Sequence, residues 1–165
     1  MTRVRLVIVE DNQDNLEALS EFLGQRYSVF GYTSPKEALE AIEAVQPDVL
    51  LLDIALGSVD GVQCLEAIRA LPAYRHVPAV ACTGFACDAD RRAFLAAGFQ
   101  AVVVKPIDPE ALMVVIDAAL KDEKYQRRST PLPGPPAAVS RLDDNATMTA
   151  SRPRGFGETN GPRAE

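Results

Sequence analysis

The sequence has no tryptophan, one histidine and three cysteines in 165 residues. The cysteines, Cys64, Cys82 and Cys87, are odd in number, and no two follow C-x-x-C or metal-knuckle spacing. That argues against a disulfide framework and a structural zinc site, and it leads us to expect reduced thiols in a cytoplasmic protein. The one histidine, His76, lies in a Pro-flanked loop and reads as structural or exposed. Long hydrophobic runs are missing too. The first apolar run, Leu6 to Val9, is ended by Glu10 and Asp11, which is too short for a signal peptide. No later run is long enough to span a bilayer. No G-x-x-x-x-G-K loop is present, so direct use of ATP is not expected.

Positive charge is scarce where the chain is most apolar. Residues 1–123 hold 10 Lys/Arg against 19 Asp/Glu, a net of −9. Residues 124–165 hold 7 against 4, a net of +3. An acidic body does not suit nucleic acid, whose binding needs basic surface to displace counterions, so no direct DNA contact is expected. Hydrophobic residues make up 47% of the chain, enough to build a core. From about Lys124 the texture changes. Pro131, Pro133, Pro135 and Pro136 crowd together and apolar periodicity vanishes. Such a stretch cannot bury enough surface to offset its ordering entropy. The expected organisation is one domain over 1–123 and a disordered Pro/Gly/Ser/Arg-rich tail over 124–165.

Within the body, nearly unbroken apolar runs alternate with helical spacing. Val4–Val9, Tyr27–Tyr32, Val49–Leu52, Pro78–Cys82 and Ala101–Val104 read as strands, most of them buried on both faces. Leu16, Leu19, Phe22 and Leu23 mark a first helix, stopped by Gly24. Ser34-Pro35 starts a second as N-cap and first helical residue, and Pro47 closes it. Val62, Leu65 and Ile68 mark a third. Asp88 is the expected cap of a fourth, which ends at Gly98, and Asp108-Pro109-Glu110 opens a fifth. Five βα units predict a parallel α/β sheet with right-handed crossovers.

Polar residues stand just past the strands: Glu10-Asp11, Asp53, Thr83 and Lys105. In open parallel sheets such positions gather along the carboxyl edge, where ligands bind. Asp11 and Asp53 can approach closely there, which is unfavourable without a counter-charge. Mg²⁺ supplies one and prefers oxygen ligands. Asp11, Asp53 and the backbone carbonyl of Ala55 suit it, with Glu10 reaching the ion directly or through water. Lys105 can pair with Asp53 at rest, and Thr83 offers a hydroxyl. A cation, a lysine and a hydroxyl around a carboxylate are what phosphoryl transfer needs, with Asp53 as nucleophile. A cis peptide bond at Lys105-Pro106, a minority form even before proline, would turn the chain and point the lysine inward.

Glu10-Asp11, Asp53, Asp60-Gly61, Thr83-Gly84 and Lys105-Pro106 together resemble a response-regulator receiver domain of two-component signalling, over roughly residues 3–121. Each motif alone is weak, and Asp60-Gly61 alone is a turn signal. The resemblance implies a flavodoxin-like (βα)5 doubly wound sheet of strand order 2-1-3-4-5. It implies phosphorylation of Asp53 by a sensor histidine kinase or histidine phosphotransfer protein. Glu10, Asp11 and Asp53 would hold Mg²⁺, while Thr83 and Lys105 would read the phosphoryl group. Slow self-catalysed hydrolysis of the phosphate follows, without enzymatic turnover.

Two positions depart from the family pattern. Gly57 stands where proline is common, which predicts a more mobile loop. Val102 stands where a tyrosine or phenylalanine commonly turns inward, and Phe85 is the candidate to cover the pocket instead. Other readings are a phosphate sink or shuttle, a docking-only receiver, and an Mg²⁺-dependent phosphatase with an aspartate nucleophile. The last would place Asp-x-Asp after the first strand, whereas Asp53 follows the third and Ala55 replaces the second acid. The sequence leaves a homodimer open.

Overall fold

The computed structural model describes residues 2–84 and 87–122. The expected tail, the boundary at 123 and Phe85 lie outside them. Five strands alternate with five helices: β1 Arg5–Val9, α1 Gln13–Leu23, β2 Ser28–Tyr32, α2 Pro35–Val45, β3 Val49–Asp53, α3 Gly61–Ala70, β4 Ala79–Thr83, α4 Asp88–Ala97, β5 Ala101–Val104 and α5 Pro109–Leu120. The strands form one parallel sheet in the order β2-β1-β3-β4-β5. This is the flavodoxin-like arrangement. Among the described residues no helix is long and apolar enough to cross a membrane.

The unbroken apolar runs have a direct physical cause. Alternate residues of a strand face opposite sides, and here both sides are covered. Val7, Val9, Leu50, Leu52, Ala79 and Ala81 pack with Ala38 of α2 and Leu65 and Ile68 of α3. Leu6, Ile8, Val49, Leu51, Val80 and Cys82 pack with Leu16 and Leu19 of α1 and Leu112 and Ile116 of α5. Neither face is solvated, so no polar alternation is required.

Local signals set the helix ends. Ser34 caps α2 and Asp108 caps α5, each followed by proline at the first helical position. Asp60 does more than turn the chain. Its side chain accepts from the Gln63 N–H at 2.8 Å while Gln63 Oε1 accepts from the Asp60 N–H at 3.2 Å, a reciprocal capping box for α3.

Several boundaries differ from expectation. Asp88 is the first residue of α4, not its cap. The cap is Cys87, whose Sγ accepts from the Asp90 N–H at 3.4 Å. The second strand begins at Ser28 because the Tyr27 N–H is taken by the Leu23 carbonyl at 2.9 Å; the Tyr27 side chain, 2% exposed, donates its hydroxyl to Asp117 Oδ1 at 2.8 Å. The fourth strand runs one residue further than expected, to Thr83, which pairs in register with Val104. A single 3-10 turn, Pro72–Tyr74, follows α3 without a strong sequence signal.

Replacing Asp60 with alanine removes the capping acceptor and is expected to lower stability by about 1 kcal/mol. The measurement is the urea unfolding midpoint at unchanged m-value.

Candidate functional site

The described residues contain three buried polar or charged side chains: Glu10, Asp53 and Thr83, each at most 4% exposed. All three stand at carboxyl ends of central strands, where β1, β3 and β4 lie side by side. The register explains how. Val9 pairs with Leu52 and Asp53 with Cys82, so Glu10 and Asp53 emerge next to each other. Asp11 follows on the exposed side of the turn. One carboxylate oxygen from each of Glu10, Asp11 and Asp53 lies within 4.8 Å of the others, a spacing able to hold a metal ion.

Lys105 supplies the counter-charge from the loop after β5. Its Nζ donates to Asp53 Oδ2 at 2.7 Å and to Glu10 Oε2 at 2.9 Å. The peptide bond joining it to Pro106 is cis. Burial alone would lower the lysine's pKa, but the hydrogen bonds and charges of Asp53 and Glu10 outweigh it and hold the pKa above its ordinary value. The remaining oxygens are also held. Asp53 Oδ1 accepts from the Ala55 N–H at 3.0 Å, and Glu10 Oε1 accepts from the Asn12 N–H at 3.2 Å. The nucleophile candidate is thus fixed in rotation by a cation on one oxygen and an amide on the other.

The sequence residues Glu10, Asp11, Asp53 and Lys105 therefore converge. Thr83 is buried at the end of the neighbouring strand, and its carbonyl accepts from the Lys105 N–H at 2.8 Å. Ala55 touches the site through its amide.

Two residues matter more than the sequence reading assigned. Gly61 opens α3 against the acid's own backbone, and a Cβ there would collide with the Asp53 carbonyl oxygen. Asp60-Gly61 is therefore a cap followed by a steric requirement, and the readable signal was the dipeptide itself. Cys82 lies on the sheet face shared with Leu51, beside Asp53, and is 3% exposed. Burial first, and then the Asp53 charge, push its thiol up to about 12. Gly57 is not simply a looser substitute for proline. Its φ is +76°, a left-handed conformation that proline's ring forbids, so this loop follows its own path. Val102, 7% exposed, belongs to the core cluster that includes Phe99, and it offers no ring to turn.

The thiols predict a pH dependence. Cys82 and Cys64, the latter pushed up to about 11 by burial, keep their protons in the folded state after the unfolded thiols, at about 9, have lost them. Raised folded values mean stability that is complete below about pH 9 and lost as pH rises toward 11–12. Cys82→Ala should flatten this decline by at most about 1.4 kcal/mol per pH unit, measured by urea unfolding at several alkaline pH values.

Comparison with known proteins agrees with this geometry. The family profile of the response regulator receiver domain matches residues 6–117. An uncharacterized 14.6 kDa protein of Leptolyngbya boryana is 30% identical over 117 residues, which are 70% of this chain and 89% of that one. The polar-differentiation response regulator DivK of Brucella ovis is 30% identical over 118 residues, 71% of this chain and 96% of its own length. Among solved structures, the chemotaxis protein CheY4 of Vibrio cholerae superposes with a TM-score of 0.68 at 22% identity. That match covers 72% of this chain and 99% of CheY4, and it speaks for the fold. With the family profile spanning most of the chain and the acids and lysine gathered at one sheet edge, the chain belongs to the response-regulator receiver domain family of two-component signalling.

Proposed function

We propose that this receiver domain is a phosphoacceptor switch that takes a phosphoryl group on Asp53. The observation that carries the reading is the Lys105 bridge between Asp53 and Glu10 inside a three-carboxylate cluster. A buried acid held by a lysine at the ligand-binding edge of a sheet suits charge-neutralised attack on phosphorus.

Glu10, Asp11 and Asp53, with the Ala55 carbonyl, are the residues that would hold Mg²⁺. When bound, the ion neutralises charge on the transferring group. The donor is a phosphohistidine on a sensor histidine kinase or a histidine phosphotransfer protein. A carboxylate oxygen of Asp53 forms the new O–P bond as the donor's N–P bond breaks. The imidazole leaves neutral, its other nitrogen already carrying a proton. Lys105 then pairs with a phosphoryl oxygen, and the Thr83 hydroxyl donates to another.

The product carries roughly two negative charges where one stood, enough to bias a two-state segment. The output is a surface read by a partner rather than turnover of a small substrate. Leu95 of α4, Val104 of β5 and Val114 of α5 are exposed large apolar residues on neighbouring elements, which suits such a surface.

Acetyl phosphate with Mg²⁺ should add one phosphoryl mass to the natural chain and none to Asp53→Asn. The adduct should be acid-stable and base-labile, and chelating the metal should abolish it. Intact-mass spectrometry reads the result, and labelling of the asparagine variant would refute the assignment. A second expectation concerns the lysine. Lys105→Met leaves two carboxylates without their ammonium, so its melting temperature should fall without Mg²⁺. The Mg²⁺-induced gain in melting temperature should then exceed that of the natural chain, because the ion takes over the compensation. Equal gains would count against a shared site.

A further inference from the structure

α4 is the helix whose own residues hold it least. None of its ten residues is buried, whereas α1, α2, α3 and α5 each bury between two and four. Phe94 gives partial contact with the core, and the chain beyond the helix is anchored by Phe99, 3% exposed. The helix ends at Gly98, whose φ of +111° is left-handed. A Cβ at Gly98 would collide with Arg69 Nη1, so the Arg69 guanidinium occupies the space over the end of α4.

Arg69 belongs to the last turn of α3 and pairs with no carboxylate among the described residues. Nη2 reaches the Val77 carbonyl only at 3.5 Å, and Nε is buried without a hydrogen-bond partner among the described residues. A half-buried guanidinium whose buried Nε lacks a partner is costly to hold. Its position over the α4 terminus is electrostatically favourable, because a helix C-terminus carries partial negative charge. The contact therefore rests on this field and on one long hydrogen bond. The other end of α3 is Gly61, packed on the Asp53 carbonyl. Eight residue steps lead from Gly61 to Arg69, about 12 Å along the helix. One rod thus touches the proposed phosphoacceptor at its start and α4 at its end.

We propose that Arg69 is a positioning residue that latches α4 to α3, and that α3 carries the state of Asp53 to α4 through it. The transmission half rests on the phosphoacceptor reading; the latch half does not.

The test compares amide hydrogen exchange of the natural chain and Arg69→Met. Without phosphodonor, α4 amides should exchange on the order of tenfold faster in the variant, with β1 and β3 unchanged. Equal α4 rates in both would overturn the latch. If exchange rises everywhere in the variant, a double-mutant cycle decides. Gly98→Ala should destabilise the natural chain more than it destabilises Arg69→Met, since the colliding group is then gone, and additive effects would overturn the contact. With acetyl phosphate and Mg²⁺, labelling is first read by mass. No labelling of either protein would refute the phosphoacceptor reading and leave the latch results standing. Once both are labelled, α4 exchange should change in the natural chain and show no further change in Arg69→Met. An equal change in both would overturn transmission through Arg69.

Discussion

One ammonium group bridging two buried carboxylates is the interaction on which the site depends. Glu10 and Asp53 are almost fully withdrawn from water at the ends of adjacent strands, and Lys105 donates to both. Without a cation their mutual repulsion would open the sheet edge, since charge interactions strengthen as water is excluded. The bridge also imposes register. A shift of one residue in β1 or β3 would send either acid to the opposite face, away from the lysine.

The fold gives unequal support to its parts. Around Asp53 it is tight: Ala55 holds one oxygen, Lys105 the other, and Gly61 lies against the backbone with no room for a side chain. Around α4 it is loose, with no residue of that helix buried. A rigid acceptor beside a lightly held helix is a sound arrangement for a switch. Under the proposed function, the charge change falls where geometry is tightly held and the response where movement costs little.

Much of this was legible because the local rules agree with the global fold. Unbroken runs such as Val49–Leu52 indicated strands covered on both faces, and Ser34-Pro35 and Asp108-Pro109 marked helix starts correctly. The failures have specific causes. Asp88 is a better intrinsic cap than cysteine, yet the chain enters α4 one residue earlier and leaves Cys87 in the extended conformation a cap requires. Tyr27 has strand propensity, but its N–H is taken by the Leu23 carbonyl, and its hydroxyl finds Asp117 ninety residues later, a partner no local window contains. Asp60-Gly61 reads as a turn because the atom that makes glycine obligatory, the Asp53 carbonyl oxygen, is contributed by another element.

The sequence by itself determined the element types, the parallel architecture and which polar residues end the strands, because each depends on periodicity and on groups a few residues apart. Only the tertiary structure decided that Lys105 serves Glu10 as well as Asp53, that Gly57 takes a path closed to proline, and that Arg69 lies over the end of α4. Those facts come from atoms brought together across the sheet and between helices. Close packing, which leaves room for one arrangement and excludes its neighbours, is set by three-dimensional contact and leaves no mark on the spacing of residues along the chain.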